Sequence, residues 1–360
     1  MTPKFHSLTV RDVRRETDDS VSIAFDVPAD LQADYGFRPG QHLTLRAMVD
    51  GRDIRRSYSI CSGPDDGELR VAIRRVDGGL FSGFANDEIV PGDTLEVMTP
   101  DGRFTFTPDV DRAGAYVAFA AGSGITPILS IVKAVLLGEP KSQMTLVYGN
   151  RTTRSVIFRE ELEDLKNRFP GRLSLLHVLS REATDAPLLS GRIDADKAGV
   201  LLDRMIDVAS TDAFYLCGPM PMIETVSAAL KDRGVDPHNI RFEIFTPSDD
   251  GNGPARKLSV AGTGGASSHV GVIVDGHRIE FDMADDGSSI LDRALENRAD
   301  LPYACKGGMC CTCRAKLVEG TVEMDKTYGL EDEEIAAGYV LSCQAVPTSE
   351  RVVLDFDDRG

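Results

Sequence analysis

Two hydrophobic rhythms follow one another along the chain. Up to about Pro108, apolar and polar residues alternate in short runs broken by glycine and proline, as in Gln41-His42-Leu43-Thr44-Leu45 and Leu69-Arg70-Val71-Ala72-Ile73. A period of two gives each strand one core face and one outer face, the texture of a small antiparallel β-barrel. From Ala115 the strands become continuous apolar runs at 116–121, 144–148, 173–179 and 213–217, separated by helical stretches at 128–137, 158–169 and 222–233. Strand and helix in alternation predict a doubly wound parallel sheet. Residues 246–268, rich in Gly, Ser and Pro and poor in large apolar side chains, read as a linker. Beyond it, strand-like runs at 270–274 and 278–282 precede a helix capped by Ser288. The expected division is therefore 1–110, 111–245, linker 246–268 and 269–360, with no internal repeat.

A chain of 360 residues has room for two to three domains with cores of their own. Residues 1–16 lack the apolar core of a signal peptide, and no apolar run reaches membrane-spanning length, which points to a soluble protein without a membrane partner. Seven cysteines, five crowded near the C-terminus and two (Cys61 and Cys217) isolated, do not form a secreted disulfide framework, so a reducing cytoplasmic setting is expected. A net charge of −17 with no basic stripe argues against nucleic acid. From His269 onward 19 acidic residues stand against 9 basic ones, a stretch that reads either as a docking face for a basic electron-transfer partner or as a solvated surface.

The most specific chemical signal lies in that acidic region. Cys305, Cys310 and Cys313, with Cys343 far downstream, have the C-x4-C-x2-C…C spacing of a plant-type [2Fe-2S] cluster, and Gly307-Gly308 lets the first loop curl tightly. Zinc is the competing metal, but a zinc ribbon wants a second C-x2-C pair and none exists. Cys311 is the spare thiol.

Earlier in the chain, Arg56-Ser57-Tyr58-Ser59 ends a barrel strand. Tyr58 can stack on an isoalloxazine, Arg56 can pair with a pyrophosphate and Ser59 can reach the ring edge. Gly78-Gly79-Leu80-Phe81-Ser82 opens a short helix whose amides can bind the same pyrophosphate, so Gly79, Phe81 and Ser82 join an FAD site. Gly122-Ser123-Gly124-Ile125-Thr126-Pro127 follows the first strand of the parallel sheet, where small residues admit a dinucleotide, although Pro127 departs from the full G-x-G-x-x-G pattern. Cys217-Gly218-Pro219 ends a later strand at the same sheet edge, where a small soft side chain can sit beside a nicotinamide. A buried Cys before a turn is the alternative. Ser180 and Arg181, helped by Arg151, suit an adenosine 2′-phosphate and so favour NADPH over NADH. Glu243 can assist proton balance and Phe245 can cover the flavin, unless 242–245 is a plain last strand.

Taken in order, R-x-Y-S, G-G-x-F-S, G-S-G-I-T-P, C-G-P and the cysteine pattern resemble the ferredoxin-NADP reductase superfamily with a C-terminal plant-type ferredoxin domain, across the whole chain. Longer runs, among them Phe37-Arg38-Pro39-Gly40-Gln41-His42-Leu43-Thr44-Leu45 and Ala299-Asp300-Leu301-Pro302-Tyr303-Ala304-Cys305-Lys306-Gly307-Gly308, are similar to the reductase subunits of phenylacetyl-CoA epoxidases. The resemblance implies a flavin-binding β-barrel, an NAD(P)-binding parallel-sheet domain and a β-grasp ferredoxin domain. It also implies electron flow from NADPH through FAD and the cluster to the subunits of a separate diiron oxygenase that epoxidises phenylacetyl-CoA. Ser59, Thr126, Cys217 and Glu243 are then the residues at the hydride-transfer site. No residue here resembles a CoA or aromatic-acid pocket, so the substrate follows from resemblance alone. The alternatives are a reductase for a steroid or aromatic-ring hydroxylase, a passive redox module, and a zinc-stabilised binding protein.

Overall fold

A computed structural model describes residues 4–184, 186–245 and 267–358. The N-terminal sheet is built from β1 (Phe5–Thr17), β2 (Ser20–Asp26), β3 (His42–Val49), β4 (Arg52–Ser59), β5 (Leu69–Arg74) and, after α1 (Leu80–Asp87), β6 (Thr94–Met98). The six strands are antiparallel in the order β4-β3-β6-β1-β2-β5. Just past β4, Ile60 bridges to Val71, and the Cys61 N–H donates to the Arg70 carbonyl at 2.9 Å, which draws the two edge strands together towards a barrel. In β2 the alternation works as expected: Val21, Ile23 and Phe25 enter the core. On the other face the Ser22 hydroxyl is covered by Arg70, which donates to it at 3.0 Å and to Asp12 at 2.6 Å.

The middle region holds β7 (Ala115–Ala121), α2 (Ile125–Gly138), β8 (Gln143–Asn150), α3 (Arg159–Arg168), β9 (Leu173–Leu179), α4 (Ala195–Arg204), β10 (Ala213–Gly218), α5 (Met220–Lys231) and β11 (Ile240–Ile244). All pairings in the sheet β11-β10-β7-β8-β9 are parallel. The expected doubly wound sheet is present. Helix α4 is an addition to the expected elements: its mid-helix Gly199 masks the pattern, although Asp194 caps it by accepting the Lys197 N–H at 3.0 Å.

Helix α2 is buried from Ile125 to Leu136 because it is sandwiched between this sheet and the barrel. Phe104, Phe106 and Cys61 share its core, Ser130 Oγ donates to the Ser62 carbonyl at 2.7 Å, and Lys133 reaches Asp66 and Glu161 at 2.5 Å each. Barrel and parallel sheet are thus joined by a common core. Truncating Ile131 there removes packing on both sides and is expected to cost about 2–5 kcal/mol.

The C-terminal region contains β12 (Ser268–Val274), β13 (His277–Met283), α6 (Ile290–Glu296), β14 (Arg314–Glu319), β15 (Val322–Met324), α7 (Asp332–Ala336), β16 (Tyr339–Leu341), β17 (Ala345–Pro347) and β18 (Arg351–Asp355). The main sheet runs β13-β12-β18-β14-β16, with β12 and β18 parallel at its centre, and β15 pairs with β17 beside it. Helix α6 is capped by Ser289, whose Oγ accepts the Asp292 N–H at 3.1 Å, so Ser288 is not the cap as expected. The Ser288 N–H is instead held by Asp286, two residues earlier. Most of the expected linker lies outside the described residues; of its last two, Ser268 already belongs to β12. Among the described residues no helix is long and apolar enough to cross a membrane.

Candidate functional site

The five parallel strands deliver the expected residues to one edge of the sheet, all at the carboxyl ends of strands. From one side to the other these are Glu243 on β11, Cys217 on β10, Gly122–Gly124 after β7, Arg151 after β8 and Ser180 after β9. Open parallel sheets bind ligands at that edge, because strand ends and helix N-termini converge there. Cys217 and Glu243 are direct neighbours in the β10/β11 register. The barrel contributes Ser59, the last residue of β4, whose Oγ donates to Glu243 Oε2 at 2.9 Å. A hydroxyl, a carboxyl and a thiol from three distant parts of the chain therefore meet at the junction of barrel and sheet.

Burial sets their chemistry. Desolvation lifts the Glu243 carboxyl to about 7, although the Ser59 hydrogen bond pulls the other way. The Cys217 thiol is raised well above its usual range, first by burial and then by the Glu243 charge, so it is a neutral side chain and not a nucleophile. Gly124 completes this corner: a Cβ there would lie 2.2 Å from the Cys217 carbonyl oxygen, so only glycine lets the loop lie against β10. Gly122 has φ +54°, and its carbonyl accepts the Tyr148 hydroxyl at 3.0 Å. Thr126 is buried, with its hydroxyl donating to the Ser123 carbonyl at 2.9 Å, and Pro127 sits in the first turn of α2, where its missing N–H breaks no helical bond.

On the barrel side, Tyr58 packs on Phe81 with ring centroids 5.7 Å apart. Phe81 itself is buried in the barrel core, so what it can offer a ligand is its backbone amide. Ser82 Oγ accepts the Val76 N–H at 3.0 Å and donates to the Gly79 carbonyl at 3.2 Å. That tightens the turn until a Cβ on Gly79 would lie 2.6 Å from the hydroxyl. No side chain caps the start of α1, so its first amides keep the unpaired donors of a helix N-terminus. Arg56, near the end of β4, is half-buried and donates to the Arg55 carbonyl at 2.8 Å. Sequence reasoning missed Arg74. It ends β5 and reaches towards Gly122, where a Cβ would stand 3.0 Å from its Nη1, while its Nε and Nη2 are held by Asp19 at 2.9 Å. The run Arg74-Arg75 entering a glycine turn was the available signal.

Farther along the sheet edge, the Ser180 N–H donates to the Asn150 carbonyl and the Arg181 N–H to the Arg151 carbonyl, at 2.9 and 2.7 Å. Both arginines are exposed and adjacent, away from the Ser59–Glu243 corner. Phe245, just past β11, packs against the core shared by α2 and the barrel.

The cysteine loop is a separate centre. Lys306 and Gly308 adopt φ of +49° and +79°, which wraps the backbone around Cys305; the Gly307 and Cys310 N–H groups donate to its sulfur at 3.3 and 3.5 Å. The Cys305 thiol is lowered, first through the Cys310 thiol and then through backbone amides, while Cys310, the other half of the pair, is raised well above its usual range. Cys313 and Cys343 form a second hydrogen-bonded pair, both buried. Among the described residues no three His, Cys, Asp or Glu side chains are placed to hold one metal ion. A two-iron cluster takes two thiolates on each iron, so two touching pairs fit it better than they fit a single zinc. Cys311 points elsewhere, with φ +55° and its Sγ donating to the Gly329 carbonyl at 2.7 Å. A Cβ on Gly329 would lie 2.5 Å from that sulfur, so the glycine makes room for the fifth thiol.

Comparison with known proteins agrees with this geometry. Residues 7–106 match the oxidoreductase FAD-binding domain, residues 119–228 the oxidoreductase NAD-binding domain and residues 272–348 the 2Fe-2S iron-sulfur cluster binding domain. A barrel, a parallel sheet and a cysteine loop in that order define a pyridine-nucleotide oxidoreductase with a flavin and an iron-sulfur centre. The chain is 49% identical over 357 residues to one component of the 1,2-phenylacetyl-CoA epoxidase of Escherichia coli (strain K12), covering 99% of each. It is 36% identical to the 3-ketosteroid-9-alpha-monooxygenase, ferredoxin reductase component, of Rhodococcus rhodochrous, covering 97% of this chain and 96% of that one. The fold of phthalate dioxygenase reductase superimposes with a TM-score of 0.59 at 22% identity, covering 98% of both chains. This chain belongs to the family of FAD- and [2Fe-2S]-containing reductases that includes these components.

Proposed function

We propose that the protein is the reductase component of a phenylacetyl-CoA epoxidase, taking electrons from NADPH and delivering them to the diiron oxygenase subunits of that system in the cytoplasm. The observation that carries this reading is the 49% identity sustained over 99% of both chains, spanning all three domains and not merely the cofactor motifs. Residues 1–110 form the flavin domain, 111–245 the nucleotide domain and the chain from Ser268, the first residue of β12, the ferredoxin domain, with the preceding residues from 246 as the linker.

When bound, FAD accepts a nicotinamide's two electrons together and releases them singly, which suits a [2Fe-2S] centre that takes one at a time. The chain's own residues bind and orient. Tyr58 offers its ring to the isoalloxazine, while Arg56 and the α1 amides at Gly79 to Ser82 hold the pyrophosphate. Gly122 and Gly124, followed by Thr126 and Pro127, admit the nicotinamide nucleotide, and Cys217-Gly218-Pro219 presents a small neutral surface to its ring. Phe245 shields the flavin from water. Ser59 Oγ and Glu243 Oε2, in contact at 2.9 Å, take up the proton released as the two electrons leave. Arg181, Ser180 and Arg151 hold the 2′-phosphate and favour NADPH. Cys305, Cys310, Cys313 and Cys343 ligate the cluster.

A second reading, service to a steroid oxygenase, is favoured by the 36% identity to a 3-ketosteroid-9-alpha-monooxygenase reductase component. The deciding experiment mixes the purified protein and NADPH with either the oxygenase subunits of a phenylacetyl-CoA epoxidase or those of a 3-ketosteroid hydroxylase. Epoxide formation from phenylacetyl-CoA, with little product in the steroid mixture, is expected. The reverse pattern would replace the first reading with the second.

A further inference from the structure

The two ends of the cysteine loop rest on two arginines of the flavin domain. Arg55, on β4 next to Arg56, has a side chain only 5% exposed although it belongs to the outer face of the barrel. Its guanidinium lies between two rings, 4.3 Å from the centroid of Tyr303 and 5.1 Å from that of Phe5. Tyr303 precedes Cys305 by two residues. Asp300, at the open edge of the contact, stands 3.5 Å from Arg55 Nη2. A guanidinium stacked on an aromatic face and shielded from water is held more firmly than a surface ion pair.

The second arginine, Arg103, follows β6. It donates through Nη2 to the Gly329 carbonyl, reaches Cys311 Sγ at 3.4 Å, and pairs through Nη1 with Glu334. Glu334 is only 14% exposed and also holds Arg314, the residue after Cys313, at 2.6 Å. Arg103 therefore touches the loop directly between two of the expected ligands and, through Glu334, the strand that follows the third. Neither arginine has a role in the flavin or nucleotide sites described above, and the half-buried carboxylate at Glu334 is matched by two cations.

We propose that Arg55 and Arg103 are positioning residues that clamp the ferredoxin domain, cluster loop inward, on the flavin domain for internal electron transfer. Both contacts depend on charge: one joins a cation to a ring face, the other a cation to a shielded carboxylate. The docked state should therefore weaken with salt and with charge reversal, while the hydride step, which takes place at the Ser59–Glu243 corner, should not. The proposal rests on the electron path given under Proposed function, so it is tested on purified chain that already shows both flavin and cluster absorbance; absence of either colour would fault that path and not the clamp.

The experiment compares wild type with Arg103→Glu, Arg103→Lys and Arg55→Gln by anaerobic stopped-flow reduction and by small-angle scattering. In Arg103→Glu, flavin bleaching by NADPH is expected to stay within about twofold of wild type while cluster bleaching slows by about tenfold or more, with an increased radius of gyration. Arg55→Gln should show the same pattern more weakly, Arg103→Lys should restore most of both signals, and high salt should expand the wild type towards the charge-reversed variant. Unaltered cluster reduction in both Arg103→Glu and Arg55→Gln, or a scattering curve for Arg103→Glu that matches wild type, would overturn the clamp.

Discussion

The cysteine loop and the Ser59–Glu243 corner solve opposite problems. The loop concentrates three of the four expected ligands within nine residues and shapes their site with local backbone: positive φ at Lys306 and Gly308, and amides aimed at Cys305. The corner gathers Ser59, Gly124, Cys217 and Glu243 from four separate segments, and it exists only because α2 packs the barrel onto the parallel sheet. A locally built site is specified by spacing. A site built across a domain junction is specified by the packing that brings the pieces together, and it can tune a carboxyl by burying it between elements far apart in the chain.

That contrast is sharpest for the cysteines. Cys343→Ser, like Cys313→Ser, is expected to abolish the cluster absorbance and delivery of electrons to an oxygenase, while flavin reduction by NADPH continues; visible spectra and single-turnover kinetics check this. Cys311→Ser should leave the cluster in place, because that thiol already faces Gly329. At the corner, Ser59→Ala removes one hydrogen bond and should slow the stopped-flow reaction by roughly tenfold, the scale of a lost charge-assisted bond. Arg181→Ala, which removes the 2′-phosphate contact proposed above, should raise KM for NADPH by about tenfold and leave KM for NADH unchanged, measured by steady-state reduction of a small acceptor.

The smallest effect is the most diagnostic of burial. The Glu243 carboxyl, raised to about 7, is protonated below that pH and cannot accept a further proton, so cluster reduction should slow as pH falls through 7. Glu243→Gln should be slow and flat across the same range. Stability follows with a definite sign. A carboxyl whose folded pKa lies above its ordinary 4.5 contributes stability at low pH that is lost as pH rises towards 7. The Tm of Glu243→Gln relative to wild type should therefore increase over that window, as scanning calorimetry can show.

The same contrast explains what the sequence revealed. Periodicity identified the barrel and the parallel sheet because their strands bury either one face or both, and the cysteine spacing announced its own chemistry. Helix α4 was hidden by Gly199, a poor helix former in the middle of the segment. The cap at Ser289 was missed by one position because two serines stand side by side and only the backbone geometry chooses between them. Arg74, Arg55 and Arg103 carry no motif. Their placement against Gly122, Tyr303 and Glu334 is set by contacts between segments far apart in the chain, and no local pattern encodes such contacts.

The central claim is that electrons pass from NADPH through the junction site to a cluster held by Cys305, Cys310, Cys313 and Cys343. It is tested most directly by electron paramagnetic resonance on the purified chain after anaerobic addition of NADPH, in wild type, Cys343→Ser and Cys311→Ser. The expected result is a reduced [2Fe-2S] signal in wild type and Cys311→Ser and none in Cys343→Ser, with flavin bleaching in all three. A flavin that bleaches in wild type without any cluster signal, or a signal that survives in Cys343→Ser and disappears in Cys311→Ser, would contradict it.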